Sequence, residues 1–150
     1  MTAAQVLAGI DLFAGLSEGQ LKTLAVLAKE ETCARGQALF EEGSPATHLY
    51  LLLAGKITIQ VQLTSRPQAV EIAVLSRPGQ LVGWSGLVPP HHYTATAVCM
   101  ENSRLLAMDG KALMHALEDD PGMGFLIMRR ISEVISGRLR NIQQVVLKTL

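Results

Sequence analysis

Apolar positions change their spacing three times along the chain. From Ser17 to about Lys29, Leu21, Leu24, Ala25, Leu27 and Ala28 recur at helical intervals, and Ser17 with Gln20 forms a capping box. A shorter helical turn is expected near Ala3 to Leu7. From about Thr32 to Met108, short apolar or alternating runs are divided by the turn signals Arg35-Gly36, Glu42-Gly43, Ala54-Gly55, Ser65-Arg66-Pro67 and Arg77-Pro78-Gly79. The clearest strands are His48–Leu53, Lys56–Leu63, Val70–Leu75, Tyr93–Cys99 and Arg104–Met108. Strands this short, at this spacing, predict an antiparallel sandwich, roll or barrel.

Helical spacing then returns. Asp109 is placed to cap a helix over Gly110–Glu118, and Asp120 before Pro121 is a second start signal. Nothing stops that helix before Leu150; Gly124 and Gly137 only weaken it. Met128, Ile135, Leu139, Ile142 and Val146 step along it by three and four once Ser132 takes one seam position. Such a heptad-like stripe predicts a parallel homodimer, with packing back on the strands as the alternative. The expected organisation is a helical segment over 1–30, strands over 31–108, and two helices over 109–150.

Length and composition narrow the class. A chain of 150 residues can bury a real core without staples. Aromatics are only 4%, so that core must be aliphatic. Thirteen basic residues balance thirteen acidic ones, which argues against a generic nucleic-acid binder. Cys33 and Cys99 stand apart and read as buried thiols in a reducing compartment. Neither a signal peptide nor an 18-residue apolar run is visible, so a cytoplasmic protein without membrane contact is expected.

The stretch Gly36–Ile59, GQALFEEGSPATHLYLLLAGKITI, closely resembles the glycine-punctuated hairpins of the cyclic-nucleotide-binding family. Gly36, Leu39-Phe40, Gly43, Leu49-Tyr50-Leu51-Leu52 and Gly55 carry the likeness, and Pro78-Gly79 and Val82-Gly83 extend it. The resemblance implies an antiparallel, eight-stranded, Greek-key β-roll, jelly-roll-like, with N-terminal helices and a C-terminal B/C helix pair. It also implies a non-catalytic sensor whose ligand sits in a phosphate-binding cassette, usually Phe-Gly-Glu-Leu-Ala-Leu, a loop, then Arg-Thr-Ala-Thr. Helix-start N–H groups would hold the phosphate there. The glutamate takes the ribose hydroxyl and the arginine neutralises the phosphate.

Here the cassette reads Val82-Gly83-Trp84-Ser85-Gly86-Leu87, then Val88-Pro89-Pro90-His91-His92, then Tyr93-Thr94-Ala95-Thr96. Gly83, Thr94 and Ala95 fall on family positions. Trp84 replaces the glutamate and Tyr93 the arginine. Charged hydrogen bonds contribute about 1.5–3 kcal/mol each, so losing both weakens cAMP roughly a hundred- to ten-thousand-fold. Three outcomes stay open for Gly83, Trp84, Ser85, Gly86, Tyr93, Thr94 and Ala95. The aromatics close the pocket; or Ser85, Thr94 and His91 or His92 hold a nucleotide or other small anion, or a planar ligand stacks on the rings; or cyclic nucleotides bind weakly.

Catalysis and metal binding find no footing. No HxH, GxSxG, HExxH or P-loop occurs, and His91-His92 on an extended segment point apart. His48, His115 and the cysteines have no zinc spacing, and nothing selects a haem ligand among Cys33, Cys99, His48 and Met100. No cofactor is therefore certain. Regulators of this family read DNA with a domain beyond the last helix. The chain as given holds no such reader, and an excised sensor domain remains the alternative.

Overall fold

The computed structural model describes residues 1–149, and Leu150, where the last helix was expected to reach, lies outside them. Among the described residues, four α-helices flank eight strands. They are α1 (Ala3–Ala8), α2 (Glu18–Ala25), α3 (Gly110–Asp119) and α4 (Pro121–Thr149). The strands are β1 (Ala28–Cys33), β2 (Ala38–Phe40), β3 (His48–Ala54), β4 (Ile57–Gln62), β5 (Ala69–Leu75), β6 (Leu81–Val82), β7 (Thr96–Cys99) and β8 (Ser103–Asp109). They form two antiparallel sheets, in the orders β1-β8-β3-β6 and β2-β7-β4-β5. The β-roll that the resemblance implies, one of the three forms the turn spacing allows, is the fold observed.

Alternation along β3 and β8 decides where the core lies. Leu49, Leu51, Leu106 and Met108 face the helices and meet Leu24, Leu113, Leu117 and Ile127. Their neighbours Leu52 and Leu105 face the roll interior with Ile57, Ile59, Ile72 and Ala97. Both faces of these two strands are thus covered, which explains the near-continuous apolar runs in their sequence.

The caps behave as their residue types require. Ser17 and Gln20 exchange both bonds of a capping box, and Asp109 accepts from the Ala112 amide. Asp120 accepts from the Met123 amide at 3.2 Å and from the Gln20 side chain at 2.9 Å, tying α2 to the start of α4. These contacts, Gln20 first, hold its carboxyl below the ordinary aspartate range.

Three expectations need correction. The second helix stops at Ala25 rather than near Lys29, because Ala28–Cys33 pairs with Met108–Ser103 as strand β1. Tertiary pairing overrides a helical pattern here. The strand expected over Tyr93–Cys99 begins only at Thr96, since Tyr93 exchanges backbone bonds with Gly43 and Ser44. Cys33 and Cys99 are not free thiols. They form a disulfide with Cα atoms 6.4 Å apart, joining the end of β1 in one sheet to the end of β7 in the other.

Candidate functional site

The cassette is built on a turn that only glycine permits. Gly83 ends β6 in the left-handed region, at φ 81° and ψ 38°, and starts the 3-10 turn Trp84–Gly86. A Cβ at Gly83 would lie 3.0 Å from Phe40 and 3.3 Å from Tyr93. A Cβ at Gly86 would overlap the backbone of His48, so the turn packs main chain to main chain against the start of β3. The chain then returns through a cis Pro89–Pro90 bond and His91, at φ 61°.

Tyr93 lies inside, 6% exposed, at the position where the resemblance places the family's arginine. Its phenol donates to the His48 carbonyl at 2.7 Å. Its ring stacks on Phe40, with centroids 3.8 Å apart and planes 11° from parallel. Phe40 in turn stacks on Tyr50 at 6.2 Å. Burial, the largest cause, raises the pKa of both tyrosines; the bond to His48 opposes it at Tyr93. Both therefore stay neutral at physiological pH. Around them the remaining cavity measures about 20 Å³, bounded by Phe40, Ile59, Gly83, Ser85, Tyr93 and Ala95 among others.

The other expected residues divide. Thr94 borders the same small cavity and is exposed, whereas Ser85 and Ala95 are buried. Gly86 is consumed by packing against β3. His91 and His92 do not border the cavity; their Nδ1 atoms lie 3.1 Å from the carbonyls of Ser85 and Pro90. Trp84 is half-buried and packs on the helix-side core.

What sequence reading missed is Arg138. It lies on α4, only 8% exposed, and its Nη2 donates to the Leu81 carbonyl at 2.5 Å. Its guanidinium carbon sits 5.5 Å from the Trp84 ring centroid, a cation–π contact. Among the described residues no carboxylate pairs with it; the ion pairs are Lys22–Glu18, Arg104–Glu30 and Arg129–Glu133. Burial lowers its pKa to about 10, so it remains a cation at neutral pH. A signal was present in the sequence. Ile131, Val134, Ile142 and Val145 stand four and seven residues either side of Arg138, so a charge occupies the middle of an apolar stripe.

The proposed dimer stripe is likewise divided. Met128 and Ile135 pack in part on the helix-side core and Ile142 on the roll interior. Val146 is half-buried, and Leu139 is 54% exposed.

The family model described as "Cyclic nucleotide-binding domain" matches residues 30–120, more than half the chain. The chain belongs to that family. Among solved members of the same architecture, the N-terminal domain of a transcriptional regulator from Streptomyces coelicolor A3(2) is 30% identical. The match covers 94% of each chain, with a TM-score of 0.70. A cyclic nucleotide-binding domain from Methylobacillus flagellatus KT superposes with a TM-score of 0.81. At 21% identity, over 99% of this chain and 83% of that one, it supports the fold. A CRP-like cAMP-activated global transcriptional regulator of Mycobacterium tuberculosis is 24% identical over 91% of this chain and 58% of its own length. The chain thus spans under two thirds of the curated relatives it matches. As a cyclic nucleotide-binding domain it is a regulatory sensor module related to the CRP-type regulators.

Proposed function

We propose that this cyclic nucleotide-binding domain is a non-catalytic regulatory module whose cassette is closed to cAMP and cGMP in the family's usual binding mode. One observation carries the reading: Tyr93, which the resemblance aligns with the family's arginine, is bonded to His48 and stacked on Phe40 and leaves about 20 Å³. That space holds about one water, whereas ligand pockets run to roughly 300–1,000 Å³. Calorimetric titration with cAMP and cGMP is expected to give no binding at physiological concentrations. A low-micromolar dissociation constant refutes the proposal.

Output in this reading runs through α4, because Arg138 joins that helix to Trp84 and to the Leu81 carbonyl. The proposal includes a homodimer along α4, supported by Leu139 and Leu147, which are 54% and 71% exposed. Light scattering across a dilution series should show twice the chain mass, and a strict monomer overturns this part. No nucleic acid or membrane contact is proposed. No described helix is long and apolar enough to cross a membrane. A cytoplasmic setting belongs to the proposal too; the Cys33–Cys99 bond is the observation that weighs against it.

A further inference from the structure

A cavity far larger than that of the cassette lies outside it. It is an open groove of about 780 Å³ between the turn at 11–13, the loop at 77–81 and α4. Four guanidinium groups line it, from Arg77, Arg130, Arg138 and Arg140, against the carboxylates of Asp11 and Glu133. Glu133 is further offset by Arg129 at 3.7 Å. The groove therefore carries excess positive charge in a chain that is neutral as a whole.

Two of the four arginines are fixed before any ligand arrives. Arg130 Nη1 donates to the carbonyls of Leu12 at 3.0 Å and Ala14 at 2.7 Å. Arg138 is held by Leu81. Each keeps further N–H donors, since a guanidinium has five. Immobilised in advance, these side chains lose little entropy on binding. Arg77 and Arg140 are exposed, and no ion pair among the described residues uses them. Guanidinium forks suit phosphate oxygens, which they grip in pairs. No aromatic ring lines the groove, so nothing there would stack a base.

We propose that this groove is a second ligand site, which takes a small molecule through a diphosphate or longer phosphate chain. Its volume falls in the range of small-molecule pockets. Arg138 borders both the groove and the cassette cavity, so a phosphate charge placed beside its fixed guanidinium changes the electrostatic surroundings of Trp84. Occupancy of the groove is thereby sensed at the cassette without anything entering it. This site goes beyond the closed-cassette reading and does not depend on it.

Trp84 is the chain's only tryptophan, which makes its fluorescence a direct report. The full chain is titrated with inorganic pyrophosphate while tryptophan emission and the melting temperature are followed. A saturable emission change with a raised melting temperature is expected. Arg77→Ala/Arg140→Ala, which removes two exposed side chains, should bind at least about tenfold more weakly. Its melting temperature without ligand should match the parent. ATP should bind no more tightly than pyrophosphate. The proposal fails if no saturable change occurs, if sodium chloride at equal ionic strength gives the same response, or if the double variant binds like the parent. Much tighter binding of ATP overturns recognition by phosphate alone. Failure on any of these counts leaves the cAMP result untouched, because the two titrations read different sites.

Discussion

Exchanging Trp84 for glutamate and Tyr93 for arginine in one chain should restore cAMP binding. The expected gain over the parent protein is roughly a hundred- to ten-thousand-fold in affinity, the strength of two charged hydrogen bonds. The arginine supplies the phosphate's counter-charge, and removing the phenol ring breaks the stack on Phe40 that fills the site. The glutamate stands beside Arg138, 5.5 Å from the ring it replaces, so pairing between them absorbs part of its contribution. Tyr93→Arg alone should therefore carry the larger share. The exchange has a structural cost. Losing the phenol's bond to His48 removes about 1 kcal/mol, and losing the ring pair about 0.5–1.5 kcal/mol more. Against a typical stability of about 5–15 kcal/mol, the variant stays folded. Calorimetry with cAMP checks the prediction. A folded double variant that still gives no heat shows that these two positions do not close the site.

Reducing the Cys33–Cys99 bond should have the largest effect on stability. The two residues are 66 apart in sequence, and closing a loop of that length stabilises by about 4 kcal/mol. For a domain of this size the melting temperature should fall by about 8–16 °C. Thermal unfolding with and without reductant measures this, with Cys33→Ala/Cys99→Ala as the second arm. If the untreated protein releases two thiols on unfolding and reductant leaves the transition unchanged, the bond does not form in solution.

Much of this architecture was legible before any coordinates. Turn residues and alternating strands announced a sandwich, roll or barrel, and Ser17, Asp109 and Asp120 marked helix starts where the structure has them. Those signals are local, so one sequence displays them. The cassette was located by the family resemblance, through Gly83 and the Thr94-Ala95 pair. What stayed hidden depends on residues far apart in the chain. Nothing near Lys29 indicates that Ala28 and Lys29 would leave the helical pattern and begin the strand that pairs with β8. Cys33 and Cys99 meet only because two sheets bring them together. Phe40 was visible as a hairpin residue, but its stacking on Tyr93 is a product of the tertiary fold. Arg138 is the instructive case. Its helical spacing is displayed by the sequence, but its burial and its contact with Trp84 arise only in the tertiary fold.

The disulfide bears on how this domain can move. A covalent stitch between the two halves of the roll, added to strands walled in on both sides, makes the barrel-like body a stiff chassis. Breathing that parts the sheets at that end is opposed, so under the proposed reading an incoming message finds its easier route outside the body. There it is spent on tilting or sliding the long terminal rod, whose grip on that chassis includes one cationic side chain.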